Sequence, residues 1–478
     1  MDIMPIIKAV NSMTNLIETN TAVFKATIPE LFFRSANESF YKPAIYYKEE
    51  GLLKNITYGE LSQKIVDLSI GLIKNGLQKG DKVAILSENR LEYYICELSV
   101  LSCGGIVVPL YINADPSQLE TILKNSEAKF LFVSPQERIL NKLPKINPNI
   151  GPKQFILTQN NAPNNSTSIK DLIDLGAKEE SKEQIFLRLK DLAESDLAAI
   201  IYTSGTHTDP KGVMLTHANI ISNAKGALEV LTVDRNSLNI SLLPLSHALE
   251  KTCSFYIFLF QGAAIAICDN LNSLPETLRE IAPTHIIGVP KLFESIYENI
   301  IKEINRKSSI KRKFFDTGIK KAIKSYKENG SKKPAGLASK LVLKTLNRFA
   351  FEKIKGSMGG KIKVFLSGGA ALPNHISMFF NAIGIPLLES YGLTEASPVV
   401  SCNTTEKNKI GTVGHPLRNI QVMISQDGEL LVKGPSVMKG YFKDEIATKE
   451  AIDEKGWLHT GDLGAIDEEG FITITGRK

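Results

Sequence analysis

Seven residues between Thr203 and Gly212 carry the chemistry that constrains this chain most: Thr203-Ser204-Gly205-Thr206 and Pro210-Lys211-Gly212. The three hydroxyls are donors, the two glycines let the backbone bend so that its N–H groups point inward, and Lys211 adds a fixed positive charge. Such a set suits phosphate. Its spacing is not that of a Walker A loop, because no Gly-Lys-Ser/Thr ending follows Gly205, so another nucleotide chemistry is needed. The apolar run 197–201 leading into it reads as a buried strand, and Thr216 stands where the cap of a helix over 217–228 belongs.

Further candidates follow at strand ends. Residues 364–367 read as a buried strand running into Gly368-Gly369-Ala370, and two glycines there leave room for a flat ring against the backbone. A second strand, 385–390, enters Tyr391-Gly392-Leu393-Thr394-Glu395, which offers an aromatic face for a base, a hydroxyl for a phosphate oxygen and a carboxylate for a hard cation. His247 lies at the turn between strand 240–244 and an apolar helix; taken alone, a structural hydrogen-bonding role suits it better than catalysis. Taken alone, Asp462 in Trp457-Leu-His-Thr-Gly-Asp462 is an ordinary turn residue.

In combination, these stretches resemble the adenylate-forming (AMP-binding) superfamily, which includes acyl-CoA synthetases, luciferases and peptide-synthetase adenylation domains. The likeness rests on Thr203 to Thr206 with Pro210-Lys-Gly212, Leu243-Pro-Leu-Ser-His247, Ser367-Gly-Gly369, Tyr391 to Glu395, and Asp462 with Gly476-Arg477. It runs from about residue 31 to residue 478, in the family's order. It implies ATP, Mg²⁺ and CoA as cofactors. Thr203, Ser204, Gly205, Thr206 and Gly212 are then phosphate-loop residues, with Lys211 catalytic beside them. Thr394 meets the α-phosphate, Glu395 holds Mg²⁺ with Thr203 as a further metal contact, and His247 lies near the substrate carboxylate. Gly368, Gly369 and Ala370 border the adenine, Tyr391 with Gly392 stacks on it, Asp462 binds both ribose hydroxyls, and Arg477 reaches the ribose. The chain departs from the family at His207-Thr208, where Thr-Gly is usual, and the lost glycine stiffens the loop over the pyrophosphate.

These residues need a scaffold to position them. The 478 residues, 43% hydrophobic and 23% charged, suit a soluble globular protein of two or three packed units. Five cysteines without a Cys-x-x-Cys pair read as core residues, against a disulfide framework or zinc. The pattern of strands at 44–47, 83–86 and 106–110 with helices at 60–75 and 92–102 between them predicts a parallel sheet wrapped by helices. It recurs at 129–133, 155–158, 263–268, 284–288 and 361–366. The expected fold is α/β: two layered αβα subdomains with parallel-rich sheets in an AMP-binding body over 1–400, plus a small β-subdomain over 401–478. Asp427-Gly428 marks a hairpin in the latter.

Between Lys302 and Arg348 stand fifteen Lys or Arg against three Asp or Glu, a local excess above the whole chain's net charge of +6. Ile310, Phe314, Ile319 and Ile323, then Leu341, Leu343, Leu346 and Phe349, fit two amphipathic helices broken at 330–336. This basic insert, 302–356, resembles long-chain fatty acyl-CoA synthetases. It is read either as a solvated helical pair or as a peripheral contact for the inner face of a membrane. Nucleic acid is not an expected partner, since no recognition fold accompanies the charge. The N-terminus has no signal-peptide order, so a cytoplasmic location is expected. The chain ends where the family's hinge begins, so the expectation is an N-terminal body without the C-terminal domain, weakly active alone. The resulting reading is a long-chain fatty acid:CoA ligase that forms acyl-AMP from fatty acid and Mg-ATP and then acyl-CoA. A fatty acyl-AMP or acyl-carrier-protein ligase, a medium-chain or aromatic acid ligase, and a non-catalytic nucleotide- or lipid-binding module are the alternatives.

Overall fold

Along the strand Lys82–Leu86, Val83 and Ile85 enter one hydrophobic cluster while Ala84 and Leu86 enter another. Side chains alternate across a strand, so a continuous apolar run is a strand buried on both faces. A computed structural model describes residues 27–145, 152–158, 167–203, 210–268, 270, 272–329 and 351–478, and the described residues form three sheets. The first has seven strands, in the order Gly440–Tyr441, Lys211–Thr216, Leu197–Thr203, Ile106–Leu110, Lys82–Leu86, Phe130–Val133 and Lys153–Ile156. Its last five strands are parallel and its first two antiparallel.

The second sheet has nine strands. They run His415–Pro416, Val399–Cys402, Leu387–Gly392, Val364–Ser367, His285–Gly288, Leu238–Ser241, Ala264–Ile267, Pro43–Glu49 and Leu52–Thr57, parallel in the middle and antiparallel at both ends. One hydrophobic cluster joins both large sheets through the helices Tyr58–Lys74 and Leu91–Ser102, while Ile240 and Ala266 face a second cluster and Ala84 and Leu86 a third. Helices therefore cover the sheets on both faces, as the αβα pattern predicts. A four-stranded antiparallel sheet, Gln421–Ile424, Glu429–Lys433, Leu458–Ile466 and Ile472–Arg477, completes the set, with the expected hairpin at Gly428 (φ +83°). All five cysteines are free and buried.

Helix starts follow local chemistry. Glu60 N–H donates to Thr57 Oγ1 at 3.2 Å and Thr57 N–H donates to the Glu60 carboxylate at 2.9 Å, a capping box of the kind that contributes about 1 kcal/mol. Thr216 caps the helix His217–Leu231 by the same exchange with Asn219, at 3.1 and 2.9 Å.

Three expectations are corrected, and a fourth, the helix after His247, holds with a wider turn. The strand Pro43–Glu49 joins the nine-stranded sheet beside Ala264–Ile267 and not the sheet of Lys82–Leu86, a pairing across more than two hundred residues that no local pattern encodes. Residues 211–216 form a strand paired with Leu197–Thr203, so Gly212 is extended and opposite Tyr202 rather than part of a bend. A Cβ on Gly212 would come within 2.8 Å of Ile200 Cγ2, so packing explains this glycine. Ile310 is 81% exposed, because the helix Ser309–Asn329 buries Phe315 and Ala322 instead. The segment after His247 is π-helical over Glu250–Tyr256 before an α-helical turn at Ile257–Phe260. The Phe314 side chain and the second set, Leu341 to Phe349, lie outside the described residues.

Candidate active site

Strand ends bring the site together. Thr203 and Lys211 are register partners at the neck of the hairpin formed by Leu197–Thr203 and Lys211–Thr216. Ser204, Gly205 and Thr206, with His207-Thr208, lie outside the described residues. From this neck Lys211 Nζ sits 5.2 Å from the centroid of the Tyr441 ring. The phenol of Tyr441 donates to Glu395 Oε1 at 2.9 Å, so one aromatic residue contacts both Lys211 and Glu395.

Glu395 rides on the short 3₁₀ turn Thr394–Ala396, which follows the strand Leu387–Gly392. Its position depends on a glycine. A Cβ on Gly392 would come within 2.0 Å of the Pro398 carbonyl oxygen, and Leu393 N–H donates to that same oxygen at 3.0 Å. Only a residue without a side chain lets the turn close so tightly.

A second cluster forms on the adjoining wall. Tyr391 Oη donates to Asp462 Oδ2 at 2.5 Å, and Arg477 Nε lies 3.0 Å from Asp462 Oδ1, since Asp462 and Arg477 are partners across neighbouring strands. Burial, reinforced by the bond to Asp462, pushes the Tyr391 phenol well above its ordinary pKa, so it stays a donor. Gly368 fits under Ser390, whose Oγ would be 2.8 Å from an added Cβ, and Gly369 takes φ +82°. Ala370 beside them is exposed. His247 makes no hydrogen bond to either cluster among the described residues. Its ring lies 4.9 Å from that of Tyr111, and desolvation lowers its pKa, favouring the neutral imidazole.

No group of three or more His, Cys, Asp or Glu that could hold a metal exists among the described residues. A lone carboxylate, Glu395, fits Mg²⁺, which is ordinarily bound by one or two carboxylates together with substrate phosphates. The sequence profile of the AMP-binding enzyme family matches residues 32–442. The chain belongs to this family.

Its similarities within the AMP-binding enzymes are specific. It is 32% identical over 433 residues to the long-chain-fatty-acid–CoA ligase FadD15 of Mycobacterium bovis, covering 90% of this chain and 70% of that protein. It is 27% identical over 489 residues to the long-chain-fatty-acid–[acyl-carrier-protein] ligase AEE15 of Arabidopsis thaliana, covering 92% and 67%. Among solved structures, ATP-bound MatB from Rhodopseudomonas palustris aligns with TM-score 0.71 at 23% identity, over 95% of this chain and 79% of that one. That likeness speaks to the fold.

Two polar groups of this chain escape sequence reasoning. Tyr441 is one; its signal was a tyrosine after a glycine in a short strand, which is too common to single out. The other links the π-helical segment to the helix Leu91–Ser102. Lys251 forms an ion pair with Glu97, both fully buried, and Tyr256 donates to the same carboxylate. Desolvation lowers the Lys251 pKa, against the pull of Glu97. Next to it Glu250 is buried and pushed up to about 8 by desolvation, accepting from Ser241 Oγ at 2.6 Å, while Tyr94 Oη donates to Ser241 Oγ at 2.8 Å.

Proposed function

We propose that this chain binds Mg-ATP and a long-chain fatty acid and forms the acyl-adenylate, as the body of a fatty acid:CoA ligase. The observation that carries the reading is the convergence of Lys211, Tyr441 and Glu395 at one strand end and of Tyr391, Asp462 and Arg477 at the next. It is supported by the likeness to a long-chain-fatty-acid–CoA ligase over 90% of the chain.

The residues divide the work. Asp462 accepts hydrogen bonds from the two ribose hydroxyls and Arg477 reaches the same sugar, while Tyr391, Gly392 and the Gly368-Gly369-Ala370 ledge take the adenine. Lys211, with Thr203, Ser204, Gly205 and Thr206, holds the outer phosphates and neutralises the charge that leaves with pyrophosphate. Thr394 donates to the α-phosphate. Glu395 and Thr203 would hold Mg²⁺, which would screen phosphate charge from the incoming anion. The fatty carboxylate, beside His247, then attacks the α-phosphorus in line; the bond to the pyrophosphate oxygen breaks, and acyl-AMP is formed. Attack by a CoA thiolate on the acyl carbon releases AMP. Catalysis of this kind is positioning plus electrostatic stabilisation.

Titrating ATP with Mg²⁺ into the chain, and measuring palmitate-dependent exchange of pyrophosphate into ATP, tests the first step. Binding with exchange is the expected result; exchange driven better by short or aromatic acids would discard the long-chain assignment. The likeness to an acyl-carrier-protein ligase supports a second reading of the acceptor. It predicts AMP release accelerated by acyl carrier protein and not by CoA.

Contact with a membrane surface is part of the same proposal. Lys311, Arg312, Lys313, Lys320, Lys321 and Lys324 are all exposed on the helix Ser309–Asn329, with Ile310 beside them. No helix among the described residues is long and apolar enough to cross a membrane. Sedimentation with anionic vesicles that declines with salt is expected, and equal sedimentation with neutral vesicles would remove the electrostatic argument.

A further inference from the structure

Residues 438–442 cross the molecule between the two motifs that the nucleotide reading uses most. Met438 N–H donates to the Glu395 carbonyl at 2.8 Å, Lys439 N–H to the Met214 carbonyl at 3.0 Å, and Phe442 N–H to the Gly212 carbonyl at 2.7 Å. The segment is thus tied to the Thr394–Ala396 turn at one end and to the strand Lys211–Thr216 at the other. Its own conformation is fixed as well. Gly440 takes φ +141°, a Cβ there would come within 2.7 Å of Thr448 Cγ2, and Tyr441 N–H donates to Thr448 Oγ1 at 2.8 Å.

On this strap we propose that Tyr441 is a positioning residue for the nucleotide site: its phenol takes Glu395 Oε1 and so orients the carboxylate for Mg²⁺-bound phosphate, while its ring seats the Lys211 ammonium. The inference rests on the nucleotide reading above. A carboxylate turns freely about its last bond unless one oxygen is held. The 2.9 Å bond from Tyr441 restrains Oε1 and with it that rotation. The ring quadrupole attracts the ammonium at 5.2 Å without neutralising it, so Lys211 keeps its charge for phosphate. No proton is transferred and no bond to substrate is made by this residue.

Tyr441→Phe removes the hydroxyl and keeps the ring, which separates the two contacts. ATP affinity is measured by calorimetry for the unaltered chain, Y441F, E395Q and the double variant, each with excess Mg²⁺ and with a chelator, alongside thermal unfolding without ligand. The expected result is a loss of about tenfold in Mg-ATP affinity for Y441F, from one lost hydrogen bond to a charged group. Affinity without Mg²⁺ should change by less than about twofold, and Y441F should have no further effect in E395Q, since coupled residues are not additive. Equal Mg-ATP affinity in Y441F and the unaltered chain would overturn the positioning role alone. So would an equal loss with and without Mg²⁺, or a Y441F loss that persists in E395Q. Absence of ATP binding in the unaltered chain would overturn the nucleotide reading and this inference together.

Discussion

Two polar constellations in this molecule are built on opposite principles. In the candidate site, Lys211, Glu395, Tyr391 and Arg477 are all at least partly open to solvent, come from separate strands and turns, and are linked through Tyr441 and Asp462. In the set that joins the π-helical segment to Glu97, Glu97 and Lys251 are fully buried and paired with each other, and Glu97 also accepts from Tyr256. Unfilled bonding capacity at an open strand end can be spent on a ligand. A buried pair is out of a ligand's reach, and its desolvation cost is offset by the partner. The first set should therefore control binding and the second stability.

Lys251→Met tests the contrast most severely. It leaves Glu97 buried without its cation and should destabilise the fold by about 3–5 kcal/mol in urea unfolding, while the folded fraction keeps its ATP affinity within about threefold. A large loss of ATP affinity with little loss of stability would reverse the division. Asp462→Ala should do the opposite. Losing its hydrogen bonds to the ribose should weaken ATP about 10- to 100-fold in a titration, with no comparable fall in unfolding free energy.

Glu250 sharpens the comparison through pH. Its folded pKa, about 8, lies above that of an exposed carboxyl, so the folded chain holds the proton more tightly than the unfolded one. The stabilisation is complete below the unfolded pKa of about 4.3 and is lost as pH rises toward the folded value. Between these limits the unaltered chain should lose on the order of 1 kcal/mol per pH unit relative to Glu250→Gln, and parallel stability curves for the two would refute the buried protonated state. The smallest effect belongs to Ile310→Ser. At 81% exposure this change should shift stability by less than about 0.5 kcal/mol, and a larger loss would mean the helix Ser309–Asn329 buries the face first read from its periodicity.

Local signals carried much of the fold. Thr57 and Thr216 announced helix starts because a capping box is closed within four residues, and Asp427-Gly428 announced a hairpin because a glycine must take positive φ there. The partner of Pro43–Glu49 was illegible, since an apolar strand fits any sheet whose edge it can reach. The strand Lys211–Thr216 was hidden behind a lysine and a glycine that look like loop residues. At the candidate site, Tyr391, Glu395 and Asp462 were singled out through the family resemblance, and the structure places Tyr391 and Asp462 in a hydrogen bond with each other. Tyr441 and the Glu97–Lys251 pair were not legible, because their meaning lies in contacts between residues far apart in sequence.

The wide helical turn also bears on how this chain tolerates insertion and deletion. Ile257 N–H donates to the carbonyl of Thr252, five residues back, so the segment holds a residue more than an α-helical turn would. Lys251 and Tyr256, also five apart, both reach Glu97. On an α-helix two such positions point about 140° apart and could not share one acceptor. Losing a single residue between them would restore ordinary helical bonding and turn one donor away from the acid. The wide turn and the glutamate at 97 are therefore one heritable unit, and neither can be changed by itself without leaving a buried charge short of a partner.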